Sequence, residues 1–188
     1  MKVPIKNNFI NDNWLFKNFD EFYEDAIKKF GFNEFTTNLN NEIIWMKNVI
    51  SDLDSPIVFC HNDLHGGNIL IRENYDQQEN KLLFCDFDWS AYGYRGLDFG
   101  NFFAELNETE ESSHEIIELF LKNYINEHVK NYGVCEDKRN QIEYLVKETK
   151  VFMLFSHLYT VLIRIIRNDF RQLDTKSLMV RQLQKFFN

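Results

Sequence analysis

The chain has 188 residues, enough for one domain with a substantial core, and its 44% hydrophobic content with 19 phenylalanines argues against disorder. A formal charge of −8 argues against nucleic-acid binding through a basic face; it is what ordinary solubility requires and also suits a cationic substrate. Cys60, Cys85 and Cys135 have no metal-type spacing and point to a reduced, cytoplasmic setting, and no apolar run has the length of a secretory signal core or a membrane span.

Residues 1–13, with Pro4 and four asparagines, read as extended. Leu15 to Phe30 reads as a helix, because Phe19, Phe22, Tyr23, Ala26 and Ile27 recur at helical spacing. A second helix, capped by Asn38 or Asn40, carries Ile43, Met46 and Ile50. Pro56 opens a strand over Ile57–Cys60, and Ile69–Arg72 with Leu82–Cys85 form a hairpin joined by a polar loop, Asn74–Asn80. Leu97 to Leu106 reads as a helix burying Phe99, Phe102, Phe103 and Leu106, with Asp98, Asn101 and Glu105 together on another face. Ser112 or Ser113 caps the next helix, which ends at Gly133. A long helix from about Lys138 to Asp169 and a short one from Lys176 to Phe187 complete the chain. No repeat, linker or second-domain boundary is visible, so the expectation is a single α+β unit, mostly α-helical around a small β-hairpin sheet.

Two segments carry the chemistry. Val58–Leu70 and Leu82–Trp89 are each a short apolar run that ends abruptly in acid and amide side chains. The runs have the length of buried strands and lack helical period, so they are expected to deliver Asp63, Asn68, Asp86 and Asp88 into one pocket. Phosphoryl transfer needs such a pocket, because a kinase positions the nucleotide, neutralises charge with metal ions and orients the attacking hydroxyl. His61-Asn62-Asp63 followed by Asn68 keeps the kinase order His-x-Asp…Asn with the same step of five, Asp serving as base and Asn as metal ligand. Asp86, 23 residues past Asp63, falls where a kinase keeps its metal-binding aspartate. Oxygen ligands of this kind suit Mg2+ bound with ATP.

The sequence resembles the choline/ethanolamine kinase family. The resemblance rests on His61-Asn62-Asp63-Leu64 with Gly67-Asn68-Ile69-Leu70, on Asp86-Phe87-Asp88-Trp89, and above all on the Tyr94-Arg95-Gly96-x-Asp98-x-Gly100-Asn101…Glu105 run, which generic small-molecule kinases lack. It extends upstream through Trp14-Leu15-Phe16 and downstream to Ser156-His157-Leu158. It implies Mg-ATP-dependent phosphorylation of a small amino-alcohol hydroxyl, the first step toward phosphatidylcholine or phosphatidylethanolamine. Asp63 would be the catalytic base with Asn68 positioning it; Asn68 and Asp86 would hold the metal. Asp88 stands where the family has glutamate, and its arm, shorter by about 1.5 Å, would reach the metal through water. His61 and Asp98 would brace the catalytic loop, and Arg95 would be a structural ion-pair partner. Glu105 would help hold the substrate cation. Where the family carries two tryptophans after Ser-His-Leu, this chain has Thr160 and Ile163; Tyr159 could contribute one aromatic face for the amine, or be an ordinary core tyrosine. Gly66, Gly67 and Gly96 are expected to serve tight turns, and Arg164, Arg167 and Arg171 form a solvated stripe.

The seven glycines include no glycine-rich loop ahead of the catalytic segment, and the first 57 residues carry no lysine-bearing strand of the kind that holds ATP. The chain is thus expected to be a protein-kinase-like C-terminal lobe without the N-terminal nucleotide lobe, catalysing poorly or not at all alone. It would act as a homodimer or paired with a full-length relative. The other readings are a non-catalytic lobe that modulates such a relative, and another small-molecule kinase of the aminoglycoside phosphotransferase type.

Overall fold

The computed structural model describes residues 14–31, 33–73, 81–106, 110–134 and 136–167. The readings of residues 1–13, of Arg171 and of a terminal helix at 176–187 lie outside them, as do the side chains of Trp14, Arg164 and Arg167. The described residues are mostly helical, with two small antiparallel sheets. They fall into two compact units, one comprising the described residues up to Asp54 together with those from Leu154 onward, and the other those between Ser55 and Met153.

The first unit contains helices α1 (Trp14–Phe30) and α2 (Glu34–Leu53) and the later half of α5 (Ile142–Arg167). Helix α1 buries Leu15, Phe19 and Ala26, one stripe at helical spacing, and closes on Gly31, whose φ of 69° lets its N–H return to the Ile27 carbonyl at 2.8 Å. Helix α2 starts at Glu34, several residues before the expected Asn38 or Asn40. Asn33 is the cap: its side chain accepts from Thr36 N at 3.0 Å while Thr36 Oγ1 accepts from Asn33 N at 3.0 Å. This reciprocal box satisfies two otherwise orphaned donors and moves the start upstream. Ile43, Met46 and Ile50 are buried on α2, and an Asp20–Lys47 ion pair joins it to α1. On α5, Phe155 meets Phe19 edge-on at 4.8 Å, and Leu158, Val161 and Leu162 are buried.

The second unit carries β1 (Ile57–Cys60), β2 (Ile69–Ile71), β3 (Leu82–Phe84), β4 (Ala91–Tyr94), α3 (Gly96–Glu105), α4 (Glu110–Tyr132) and the start of α5. The hairpin β2–β3 pairs Ile69 with Phe84 and Ile71 with Leu82. Strand β4, absent from the sequence reading, pairs with β1 in the register Ile57 to Tyr94 and Cys60 to Ala91. Helix α3 stops at Glu105, and Leu106, expected in the core, is 40% exposed beyond it. Helix α4 begins at Glu110, so neither Ser112 nor Ser113 caps it, and α5 begins at Ile142 after a single 3-10 turn over Lys138–Asn140. The core of this unit gathers Phe99 and Phe103 of α3, Ile117 and Leu121 of α4 and Leu145 of α5.

Gly96 opens α3 straight after the turn residue Arg95, and a Cβ there would sit 2.1 Å from Phe152 Cδ2; a Cβ on Gly100 would sit 2.4 Å from the Phe152 carbonyl carbon. These two glycines let α3 approach α5 closely. Beside them Arg95, 6% exposed, donates to Glu148 Oε2 from Nε at 3.1 Å and Nη2 at 2.8 Å, and to Asn140 Oδ1 at 2.7 Å. Ser55 Oγ donates to Glu148 Oε1, so the carboxylate is satisfied on both oxygens in the interior.

Candidate active site

Strand β1 ends at Cys60, and the loop that follows carries His61, Asp63 and His65 before a 3-10 turn at Gly66–Asn68 leads into β2. The reversal is made at Asn62, with φ 64°, a left-handed conformation that asparagine tolerates better than most residues. Helix α3 holds the loop. Asp98 accepts from His61 N through Oδ2 and from Asn62 N through Oδ1, each at 2.8 Å, and one turn on Asn101 Nδ2 donates to the Asn62 carbonyl at 3.2 Å. Asn62 Nδ2 in turn donates to the Trp89 carbonyl at 3.0 Å, joining the loop to the segment after β3.

Asn68 is 8% exposed and faces back into its own loop: Nδ2 donates to the Asp63 carbonyl at 2.9 Å and to Asp63 Oδ2 at 3.2 Å. The ladder of the hairpin continues one step past β3, with Cys85 N donating to the Asn68 carbonyl at 3.1 Å. Asp86 is therefore the next residue after Asn68's partner, exposed, and left-handed with φ 62°. Aspartate, like asparagine, visits that conformation more readily than most residues. His61 spans the same two segments: its Nε2 donates to the Cys85 carbonyl at 2.9 Å and its ring tilts against Phe87 at 4.6 Å. Its Nδ1 is buried without a hydrogen-bond partner among the described residues.

The structure thus brings Asp63, Asn68, His61 and Asp98 into one bonded network with Asp86 at its edge. Asp88 is exposed in the turn that follows, and Glu105 is exposed at the end of α3 on the face that carries Asp98 and Asn101. Tyr159 lies in the other compact unit, where its ring meets Phe22 at 5.2 Å and stacks on Phe155 at 5.7 Å. Cys60 is structural: burial first, then the Asp98 charge, pushes its thiol up to about 12, where it stays protonated.

Asn62, Asn101 and His65 went unassigned in the sequence. Asn101 shares Asp98's helix face and was legible from that spacing alone. His65 lies two residues past Asp63; Gly67 N donates to its Nδ1 at 3.1 Å, and its Nε2 stands 3.8 Å from Asp63 Oδ2.

Among the described residues no three His, Cys, Asp or Glu side chains gather as a metal cage. An amide and a carboxylate on adjoining segments, Asn68 and Asp86, fit magnesium of the kind whose shell is completed by phosphates and waters. Among the described residues no helix is long and apolar enough to cross a membrane.

Residues 1–185 match the family model described as choline/ethanolamine kinase. Ethanolamine kinase 2 of Rattus norvegicus is 33% identical over 139 residues, covering 72% of this chain and 35% of that protein. The chain spans about a third of the length of this curated relative. The fold is similar to that of a choline kinase from Cryptosporidium parvum, with TM-score 0.66 and 22% identity over 98% of this chain and 59% of that one. It is also similar to an ethanolamine kinase from Plasmodium vivax, with TM-score 0.59 and 19% identity over 97% of this chain and 50% of that one. The match in fold to both is a kinase-like one.

Proposed function

The chain belongs to the choline/ethanolamine kinase family, and on that premise we propose that it is the C-terminal, substrate-side lobe of a kinase that phosphorylates a small amino-alcohol with Mg-ATP in the cytoplasm. The observation that carries this reading is the Asp63–Asn68 pair, held by Asp98 on one side and joined to the Asp86 segment through the Cys85–Asn68 bond on the other.

Asp63 accepts the proton as the substrate O–H bond breaks; the freed oxygen bonds to the terminal phosphorus of ATP, and the phosphorus–oxygen bond to ADP breaks. Asn68 and Asp86 would hold the metal, with Asp88 as a further carboxylate nearby in sequence. When bound, magnesium neutralises charge building on the phosphate oxygens. His61 and Asp98 keep the loop in place. Glu105 takes the ammonium. Because Thr160 and Ile163 supply no π-face, ethanolamine fits a carboxylate-only cation site better than a quaternary ammonium does.

No glycine-rich phosphate loop occurs in these 188 residues, so the lobe works with a nucleotide lobe and is inactive by itself. The test is ATP turnover by the chain with ethanolamine or choline, alone and with a family nucleotide lobe added in trans. Turnover is expected only with the added lobe, and Asp63→Asn should lower it about 10²- to 10⁴-fold. Amine-independent turnover, or an Asp63→Asn variant as active as its parent, sinks the reading.

A second reading, a lobe that binds and modulates a full-length relative, is favoured by the apolar side chains the β2–β3 hairpin leaves exposed, Leu70, Ile71, Leu82 and Phe84 among them. Titrating the chain into an active relative separates the two: a change in the relative's rate without amine turnover of its own supports the second.

A further inference from the structure

His65 is caught between two neighbours. Gly67 N–H donates to Nδ1 at 3.1 Å, so Nδ1 is the unprotonated nitrogen and a neutral ring carries its proton on Nε2. The ring rests directly on Gly67, where a Cβ would stand 2.9 Å from Cε1 and 3.1 Å from Nδ1, so its place depends on the missing side chain. Nε2 then faces Asp63 Oδ2 at 3.8 Å, and that same oxygen accepts from Asn68 Nδ2 at 3.2 Å. Two donors converge on Oδ2, while no described residue donates to Oδ1. A separation of 3.8 Å is longer than a hydrogen bond, but contacts in a ligand-free site tighten once substrate is bound.

We propose that His65 is a positioning residue for Asp63: a neutral imidazole, fixed as the Nε2–H tautomer, that with Asn68 retains Oδ2 and leaves Oδ1 to take the substrate's proton. This rests on the reading of Asp63 as the base. The rival role is purely local, with Nδ1 capping the 3-10 turn and the other nitrogen idle.

Two substitutions separate the roles. In His65→Asn the amide oxygen takes the place of Nδ1 and can cap Gly67, but nothing reaches Asp63. In His65→Gln the amide nitrogen reaches where Nε2 lies, and the cap is lost. The Asn68 side-chain amide reports the outcome by NMR in the 188-residue chain, with no need for turnover. Its resonances should stay at wild-type positions in His65→Gln; in His65→Asn they should shift and exchange with water about tenfold faster. Long-range 1H–15N spectra at pH about 8, where an ordinary imidazole is neutral, should show the Nε2–H tautomer. With the nucleotide lobe added, His65→Asn should lower kcat about tenfold at unchanged KM, and His65→Gln should retain most of it. If the wild type turns over neither amine, the functional reading fails while the spectra still decide the role of His65. An Nδ1–H tautomer, or any result in which His65→Gln does no better than His65→Asn, overturns the proposal.

Discussion

Asp98 shows how one side chain can fix a loop. Its carboxylate accepts two backbone N–H groups at 2.8 Å, and hydrogen bonds to a charged group are worth about 1.5–3 kcal/mol each. Asp98→Ala should therefore lower unfolding free energy by about 3 kcal/mol in urea titrations. It should also speed hydrogen exchange at the His61 and Asn62 amides ahead of the rest of the unit; unchanged exchange there would show that the loop holds itself. His157, in the other unit, gives a pH signature. Burial lowers its pKa from the ordinary 6.5, so the folded state favours the neutral ring. Stability from this residue is fully present above about pH 6.5 and is lost as pH falls below that toward the folded value. The urea midpoint should drop between pH 7.5 and pH 5.5, and by less in His157→Gln; equal drops would exclude His157 as the cause. The acids and amide of the loop were legible from spacing because the chemistry demands them in that order. The left-handed backbone at Asn62 and Asp86 was not, since it is imposed by strands and helices distant in sequence.

Helix α3 is placed by what two residues lack. An alanine at an exposed helix position gains about 1 kcal/mol over glycine, whereas forcing a methyl into a packed interface costs about 1–3 kcal/mol. At Gly100 the new methyl would meet the Phe152 backbone; at Gly96 it would meet the fully buried Phe152 ring and Glu148 Cγ, at 2.1 and 2.9 Å. Gly100→Ala and Gly96→Ala should thus each destabilise by about 2 kcal/mol, in denaturant midpoints compared at equal slope. A stabilised Gly100→Ala protein would refute close contact between α3 and α5. Helix existence was readable from apolar period, but ends were not. The start of α2 is decided by a four-residue box at Asn33–Thr36, and β4 was hidden because Gly93 weakens its strand signal and its partner β1 lies more than thirty residues away.

At the scale of the molecule, the helices and the β2–β3 hairpin were legible in outline, while the tie between Arg95 and Glu148, 53 residues apart, required coordinates. The sequence marked Arg95 as an ion-pair partner without naming which acid it meets. Removing one member strands a buried charge, so Glu148→Ala should cost about 3–5 kcal/mol, and Arg95→Met with Glu148→Leu should cost less than the two single changes summed. Additive losses would mean that the pair is not coupled. The two sheets have a different consequence. Among the described residues each has only two strands, so every strand keeps one side without a described ladder partner, and Ile71, Phe84 and Trp89 are exposed nearby at 64%, 51% and 63%. Open edges flanked by apolar side chains are templates for edge-to-edge association. The net charge of −8 opposes such association at low ionic strength, and salt screens that protection. Handling of the purified chain is therefore governed by colloidal balance: dilute, low-salt buffers preserve it, and concentrated or salted preparations are where self-association begins.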